Sequence, residues 1–191
     1  AGQGSYVYSD GAQQWRFSPF YAQFDRRSAV YLEHRSANDW QQRQAEQDAA
    51  AARQRALDAS ALDWVALGDD ASEKAHALQS DGSYALSYRR RAGRDARTGG
   101  FIAFTLRNTA TARVLRLRYW GDETRRRFRI LADGELIANE RLDGNRGLDF
   151  VDVDYALPAA VAGRAILQIR IEPETGYSAG PAFGCWVLES A

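Results

Sequence analysis

The chain has 191 residues, of which 45% are apolar and 12% aromatic, so it can build one well-packed domain. Its 25 basic and 25 acidic side chains cancel, which argues against nucleic acid or an anionic membrane surface as its main partner. Lys74 is the only lysine, so arginine supplies nearly all of the positive charge. The sequence contains no methionine and opens on a polar run, and we therefore expect a processed or excised piece of a longer protein.

The segment from residue 1 to residue 60 predicts an extension rather than a sheet. Residues 15–35 are rich in aromatic side chains, and they favour a loop interrupted by Pro19 and then a short strand over 28–34. From Asn38 to Ser60 the sequence contains neither proline nor glycine and is rich in alanine, glutamine and arginine, which predicts a helix with Asn38 as its N-cap. Its apolar stripe is thin, so we expect a mostly exposed helix that packs along one edge.

After Ser60 the pattern changes to short segments in which apolar and polar residues alternate. Apolar side chains recur at every second position in "FIAFTL", "RVLRLRYW", "FVDVDYALP" and "AILQIRIEP", which is the period of a strand with one buried face. In "RFRILADGELIANERL", the Asp133-Gly134 pair predicts a two-residue hairpin turn. "ALDWVALGD", "SYALSY" and "FGCWVLES" predict further short strands.

These strands predict a mainly β protein, an antiparallel β-sandwich of jelly-roll or carbohydrate-binding-module type. We place a boundary at residue 60, with an extension over 1–60 and the sandwich over 61–191. No alternation of strands and helices is visible, which argues against a doubly wound or barrel fold.

The sequence offers little for catalysis or for a metal. Cys185 is the only cysteine and lies in an apolar segment, which favours a buried, inert thiol. His34 and His76 are the only histidines, and neither lies in a motif for nucleophilic catalysis or for zinc. We expect no cofactor. "GDDASE" leaves open one alternative to a solvated acidic loop, a structural calcium ion on Asp69, Asp70 and Glu73.

Two tryptophans are candidates for stacking on a sugar ring. Alternation places Trp120 with Arg116 and Arg118 on the polar face of its strand, and Trp186 lies in the last strand. Such stacking is worth about 1 kcal/mol per ring. The alternative is that these rings fill a second core or an interdomain contact.

Several linked segments resemble one family. "LDWVALGDDASEKAHALQSDGS", "YRRRAGRDARTGGFIAFTLR", "LRLRYWGDETRRRFRILADGELIA" and "DFVDVDYALP" resemble the C-terminal region of bacterial glycoside hydrolase families 127 and 146, the β-L-arabinofuranosidase-like proteins. "FSPFYAQFDRRSAVYLE" resembles the segment that leaves the catalytic barrel of those proteins. The resemblance covers about residues 15 to 189.

The resemblance implies a non-catalytic accessory domain, because the family's cysteine nucleophile, glutamate acid/base and zinc ligands have no counterpart in this chain. It implies the catalytic domain of the same parent chain as a partner, contact with an arabinose-containing oligosaccharide, and a periplasmic or secreted parent. Glu73, His76 and Arg91 match its recurring pattern. We expect Glu73 and His76 to hydrogen-bond to backbone in the loop that enters the sandwich, with a ligand-facing role as the alternative.

Four functions therefore stay open. The first is an accessory domain that packs on a catalytic barrel. The second is an autonomous carbohydrate-binding module, whose candidate ligand residues are Glu73, His76, Arg91, Trp120 and Trp186. The third is a self-sufficient hydrolase, which turnover of an arabinofuranoside would establish. The fourth is a structural clamp between domains, with an apolar patch around Trp15, Phe17, Phe20 and Tyr21. We expect neither nucleic acid nor a membrane as a partner.

Overall fold

The structure is a computed structural model, and it describes residues 6–9, 13–17, 36–161 and 163–189. The chain divides into two compact units, Ala1–Glu46 and Gln47–Ala191. Within the first unit, strands β1 (Tyr6–Ser9) and β2 (Gln14–Phe17) form an antiparallel hairpin. Residues 15–17 were expected to lie in a loop, and this expectation was wrong, because they belong to β2. The strand predicted over 28–34 and the aromatic residues Phe20 and Tyr21 lie outside the described residues.

Helix α1 (Ala37–Ser60) confirms the predicted helix, and none of its side chains is buried. Its N-cap is Ser36 and not Asn38, because the Asp39 amide donates to Ser36 Oγ over 3.1 Å. The serine satisfies an amide that the first turn leaves without a partner. The second half of α1 belongs to the larger unit, which begins at Gln47. The boundary placed at residue 60 stays a prediction.

The larger unit is a β-sandwich, which confirms the predicted fold class. Beyond α1 it contains one short helix and nine strands. They are β3 (Asp63–Val65), α2 (Asp70–Ala75), β4 (Gln79–Tyr88), β5 (Arg91–Arg107), β6 (Val114–Trp120), β7 (Arg126–Ala132), β8 (Glu135–Leu142), β9 (Phe150–Ala156), β10 (Ile166–Pro173) and β11 (Ala179–Leu188). The strands pair antiparallel in the order β8-β7-β10-β5-β11-β6-β9, while β3 pairs with β11 and β4 with β5. In the described part of the chain, no helix is long and apolar enough to cross a bilayer.

The long strand β5 joins the two layers of the sandwich. Its second half, from Ile102 onward, pairs with β10, and its first half pairs with β11. Strand β4 pairs with β5 on both sides of a register shift, which lies between Asp81 and Ser83. At this bulge a Cβ on Gly100 would lie 2.4 Å from the Asp81 carbonyl oxygen, so only glycine allows the two strands to approach. Gly99 and Gly100 both lie within β5, directly before its apolar second half.

The predicted alternation builds the core. Leu115, Leu117 and Tyr119 of β6 are buried in the main apolar cluster, as are alternate residues of β5, β7 and β10. Cys185 is buried there too, which confirms the predicted burial, and burial raises the pKa of its thiol well above the ordinary value. Asp133 and Gly134 both have positive φ, 50° and 85°, as the predicted hairpin turn between β7 and β8 requires.

Gly68 provides a test of the packing between the β3–α2 connection and β5. Its φ is +83°, and a Cβ there would lie 2.4 Å from the Gly93 carbonyl oxygen. Gly176 has the same φ of +83° but has no atom within 4 Å of an added Cβ. We expect Gly176→Ala to cost about 1 kcal/mol for left-handed backbone alone. Gly68→Ala should cost about 1–3 kcal/mol more, because backbone must also move.

Urea unfolding measures both free energies, with the slope m showing whether the folded state changes. Equal losses in the two variants would contradict the close approach of Gly68 to β5.

Candidate functional site

Strand β4 presents two open aromatic rings on one face. Tyr84 and Tyr88 are four residues apart, so they lie on the same face of the strand, and each is 41% exposed. Directly opposite them on β5 lie Asp95 and Arg91, with Leu86 facing Gly93 between the two tyrosines. We call this surface, made of Tyr84, Leu86, Tyr88, Arg91, Gly93 and Asp95, the tyrosine face. In the described part of the chain, β4 pairs with β5 alone, so the face lies along a free edge.

A row of packed aromatic rings supports one end of the tyrosine face. The Tyr88 ring meets Trp120 edge-on with ring centroids 5.1 Å apart, and Trp120 meets Phe150 in the same way at 5.3 Å. Phe150 in turn meets Phe183 at 4.8 Å. A Cβ on Gly93 would lie 2.7 Å from the Phe183 ring, so that glycine makes room for the row. Edge-to-face contacts of this kind hold rings at defined angles, so Tyr88 rests on a rigid support.

Two arginines stack on the rings of this surface. The Arg89 guanidinium lies 4.7 Å from the centroid of Trp120 and 5.8 Å from that of Tyr88. At the other end, the Arg97 guanidinium lies 5.1 Å from the Tyr84 centroid. Arg89 and Arg90 form the β4–β5 turn with φ of 45° and 66°, values that residues other than glycine and asparagine rarely adopt. The turn therefore projects two guanidinium groups beside Tyr88 at a cost in backbone strain.

Asp95 lies beneath Tyr84 and is only 1% exposed. Its Oδ2 accepts a long hydrogen bond of 3.4 Å from the Tyr84 hydroxyl and lies 3.5 Å from Arg126 Nη1. Its Oδ1 is buried and has no hydrogen-bond partner. Burial raises the pKa of this carboxyl above its ordinary value of 3.8, against the opposing charge of Arg126.

Glu73 is the buried residue of helix α2 and lies away from the tyrosine face. It accepts the Gly68 amide over 2.6 Å and pairs with both ends of the Arg94 guanidinium, at 2.7 and 2.6 Å. Arg94 belongs to β5 but points to the opposite side from Asp95, since neighbouring residues of a strand alternate. The predicted bond from Glu73 to loop backbone is confirmed.

His76 caps the C-terminal end of α2. Its Nδ1 lies 2.7 Å from the Ser72 carbonyl oxygen, and its Nε2 lies 3.5 Å from Asp63 Oδ1. The predicted contact with backbone is confirmed here too. The ligand-facing alternative for Glu73 and His76 stays a prediction, and their geometry is that of side chains holding the β3–α2 loop.

Trp186 lies under the second half of helix α1 and is 2% exposed. Its indole Nε1 donates to Asp58 Oδ1 over 2.8 Å, and its ring packs with Val114 and Leu188 against Leu57. Arg118 stacks on the same ring at 4.9 Å. This end of the sheet is therefore covered by the chain itself.

Arg91 connects that covered surface to the tyrosine face. Its guanidinium lies 5.0 Å from the Phe150 ring centroid and donates to Gln54 Oε1 of α1 over 3.3 Å. Burial, followed by the charge of Arg118, lowers the pKa of the Arg91 guanidinium below its ordinary value. Arg91 is half-buried and lies at the base of the row of aromatic rings.

Of the five predicted site residues, Arg91 and Trp120 lie at the tyrosine face. Glu73, His76 and Trp186 lie elsewhere. Trp120 lies on the predicted face but is 6% exposed, so it supports Tyr88 and does not itself present an open ring. The assignment of all five as ligand residues stays a prediction. Sequence reasoning missed Tyr84, Tyr88, Arg89 and Arg97. The i, i+4 spacing of the tyrosines in "SYALSYRRR" would have indicated a shared face.

The acidic loop considered for calcium has other contacts. Asp69 is the N-cap of α2, where its Oδ1 accepts the Ser72 amide over 2.9 Å. Glu73 is engaged by Arg94 and Gly68. Among the described residues, no group of three or more His, Cys, Asp or Glu side chains is arranged to hold a metal ion.

Comparisons with known proteins place the sequence in a family. A family of unknown function, DUF6805, matches residues 56–187. No curated protein sequence matches the chain. Among solved structures, a family 35 carbohydrate-binding module from Clostridium thermocellum is similar with a TM-score of 0.43 and 16% identity, over 59% of this chain and 92% of that chain.

Two further structures are similar in the same way. An exo-β-1,3-galactanase from Phanerochaete chrysosporium with β-1,3-galactotriose has a TM-score of 0.42 and 16% identity, over 58% of this chain and 27% of that chain. The tandem family 51 carbohydrate-binding modules of a family 98 glycoside hydrolase from Streptococcus pneumoniae have a TM-score of 0.30 and 14% identity, over 65% of this chain and 44% of that chain. At identities this low, the likeness concerns the fold alone.

Asp95 gives a prediction about pH. Its pKa is higher in the folded chain than in the unfolded chain, so the folded state binds the proton more tightly. This carboxyl therefore stabilises the fold at low pH, and the contribution is lost as pH rises from about 4 through the raised pKa. Asp95→Asn should lack this loss and become more stable relative to the wild type as pH rises.

Unfolding free energies measured from pH 4 to 8 test this, with Asp122→Asn as the control at an exposed aspartate. A wild-type pH dependence that Asp95→Asn leaves unchanged would show that the buried carboxyl is not its source.

Proposed function

The chain belongs to the DUF6805 family of unknown function, and we propose that its sandwich binds carbohydrate without acting on it. The observation that supports this most directly is the tyrosine face, where two open aromatic rings lie along a free edge of the sheet. Aromatic rings stack on the apolar faces of sugars, whose hydroxyl groups remain free to hydrogen-bond to neighbouring polar side chains.

The spacing of the rings favours an oligosaccharide over a single sugar. Four residues of extended strand separate Tyr84 from Tyr88, which corresponds to about 13 Å at 3.3 Å per residue. One sugar ring cannot contact both tyrosines at that distance, whereas a short chain lying along β4 can. Each stack is worth about 1 kcal/mol, so two rings contribute a modest affinity that suits reversible attachment to a polymer.

Rigid placement of the rings favours binding as well. Tyr88 rests on Trp120, and Tyr84 contacts Arg97 through its ring and Asp95 through its hydroxyl. Side chains that are already ordered lose little conformational entropy when a ligand arrives. In this proposal Trp120 contributes as the support of Tyr88, and Arg91 as part of the base beneath it.

We further propose that the sandwich is an accessory domain of a bacterial glycoside hydrolase, with the catalytic domain of the same parent chain as its partner. The resemblance over residues 15 to 189 to the C-terminal region of the β-L-arabinofuranosidase-like proteins supports this, and arabinose-containing glycans are the first ligands to test. In such an arrangement the sandwich positions the polymer and the catalytic domain cleaves it.

A structural clamp is the second candidate, and the surface under helix α1 favours it. There Leu57 of the helix and Ala61, the residue after its end, pack against Val114, Trp186 and Leu188, and Asp58 accepts the Trp186 indole N–H. The sandwich thus already uses one aromatic surface to hold a neighbouring segment. A clamp alone predicts no affinity for sugars.

The test is titration calorimetry of the full chain against soluble arabinans, arabinogalactans and neutral polysaccharides without arabinose. We expect Tyr84→Ala and Tyr88→Ala each to weaken binding about five-fold, since one lost stack is worth about 1 kcal/mol, and the double variant about 30-fold. Tyr→Phe variants should retain most of the affinity, because the ring remains.

Leu136→Ala is the matched control, since Leu136 is exposed and lies on β8 at the far end of the strand order. Circular dichroism confirms that each variant is folded. Absence of binding to every glycan by the folded chain would contradict the function, and binding unaffected by both tyrosine variants would contradict the site.

A further inference from the structure

We propose, building on the carbohydrate-binding function above, that the β4–β5 hairpin receives an anionic glycan, one whose sugars carry carboxylate or sulfate groups. The inference starts from the charges of the hairpin, because a neutral sugar chain needs no cation beside the stacking rings. Arg89, Arg90 and Arg97 are all exposed and lie at the two ends of the tyrosine face.

The arginines of the hairpin differ from those of the remaining sheet. Elsewhere in the sandwich most arginines are paired with a carboxylate, often through both guanidinium nitrogens, as Arg116 is with Asp154 and Arg118 with Asp152. Further pairs are Arg94–Glu73, Arg107–Asp63, Arg126–Glu123, Arg129–Glu172, Arg141–Asp143, Arg146–Glu140 and Arg170–Glu172. Within the described ranges, no carboxylate lies within 4.0 Å of Arg89, Arg90 or Arg97, and aromatic rings are the contacts of Arg89 and Arg97.

Stability of the fold does not account for this arrangement. A two-residue turn with positive φ at both positions is best formed by asparagine and glycine, yet Arg89 and Arg90 occupy it with φ of 45° and 66°. Left-handed backbone is unfavourable at each such residue, because its Cβ crowds the following carbonyl oxygen. Two unpaired cations held side by side also repel each other. These costs are understandable if the guanidinium groups bind a ligand.

The combination of planar cations with stacking rings defines the ligand class. A guanidinium group presents a fork of N–H donors that matches a carboxylate or a sulfate bidentately. Here each end of the tyrosine face joins such a fork to a ring, Arg97 with Tyr84 and Arg89 with Tyr88. A sugar that stacks on the ring brings its acidic substituent next to the fork. Two such pairs about 13 Å apart fit a chain that carries repeated charges.

Nucleic acid is also a polyanion, but the surface of this chain suits it less well than an anionic glycan. The chain has no net charge, and Arg91, the half-buried arginine at the base of the tyrosine face, lies in the field of Asp152, Asp58 and Asp149. The positive potential is therefore confined to the two ends of the tyrosine face. Binding along a phosphate backbone needs a longer basic stripe.

The test measures binding of the full chain to polygalacturonate, to the same polymer after methyl esterification, to a sulfated galactan and to single-stranded DNA. We expect tighter binding to the carboxylated or the sulfated polymer than to the neutral ester by about ten-fold or more. This preference should shrink as sodium chloride rises, because exposed charges are screened. The arm that binds identifies the acidic group.

Arg89→Gln and Arg97→Gln should each weaken binding of the anionic polymer about five-fold and leave binding of the neutral ester unchanged. Arg127→Gln is the matched control, since Arg127 lies on β7 and stacks on Tyr177 at 4.6 Å. Like the hairpin arginines, it has no acidic partner among the residues that the structure describes. It should retain the wild-type affinity for every polymer.

The outcomes separate this inference from the proposed function. Equal affinity for the acidic and the esterified polymer, lost in the tyrosine variants but not in the arginine variants, overturns the anionic ligand and leaves carbohydrate binding standing. No affinity for any glycan overturns both. Binding of DNA as tightly as of the glycans, insensitive to Tyr84→Ala, overturns the inference in favour of a general polyanion surface.

Discussion

The structure depends on strand β5 pairing in both layers of the sandwich at once. Its pairing partner changes between Ala96 and Ile102, a stretch that contains Gly99 and Gly100, and the register between β4 and β5 shifts there too. The first half of β5 pairs with β11, while the second half pairs with β10. Every other strand of the sandwich pairs with β5 directly or is connected to it through one or two neighbouring strands.

The first half of β5 presents different side chains on its two sides. Arg94 pairs with Glu73 on one side, and its neighbour Asp95 lies on the other side, buried next to Tyr84. The pair of Arg94 and Glu73 fixes the β3–α2 loop, so the strand is anchored on that side. On the other side, residues of β5 form a firm base for the tyrosine face, with Phe183 packed over Gly93. A rigid scaffold that carries a short polar hairpin is a common way to build a recognition site.

The sequence allowed the sandwich to be predicted because its core strands alternate with a period of two. It also allowed the roles of Glu73 and His76 in the loop to be predicted, since both lie in a short acidic segment next to a strand. It did not allow β4 and the first half of β5 to be predicted at full length. "SDGSYALSYRRRAGRDARTGG" is poor in large apolar residues, and its extended form depends on pairing with β11, which lies at the other end of the sandwich sequence.

The environment of Trp120 could not be predicted for a related reason. Alternation correctly placed Trp120 on the face opposite Leu117 and Tyr119, but alternation does not show what covers that face. The ring is covered by Tyr88 and Phe150, which come from other strands and are distant in sequence on either side. Burial that is imposed by distant strands leaves no local signal. For the same reason Tyr84 and Tyr88, in a segment of weak strand character, were overlooked as the open rings.

Strand β4 is an edge strand, and it also carries the two exposed tyrosines of the tyrosine face. It remains without a neighbour on one side in the described part of the chain, so its main-chain N–H and C=O groups on that side could template a strand of another molecule. The bulge beside Gly82 interrupts the regular ladder, and the arginines at the two ends of the tyrosine face repel a second copy of the hairpin. The charges that we assign to ligand binding therefore also protect the protein from self-association, so their removal by mutation would favour aggregation even where the fold is retained.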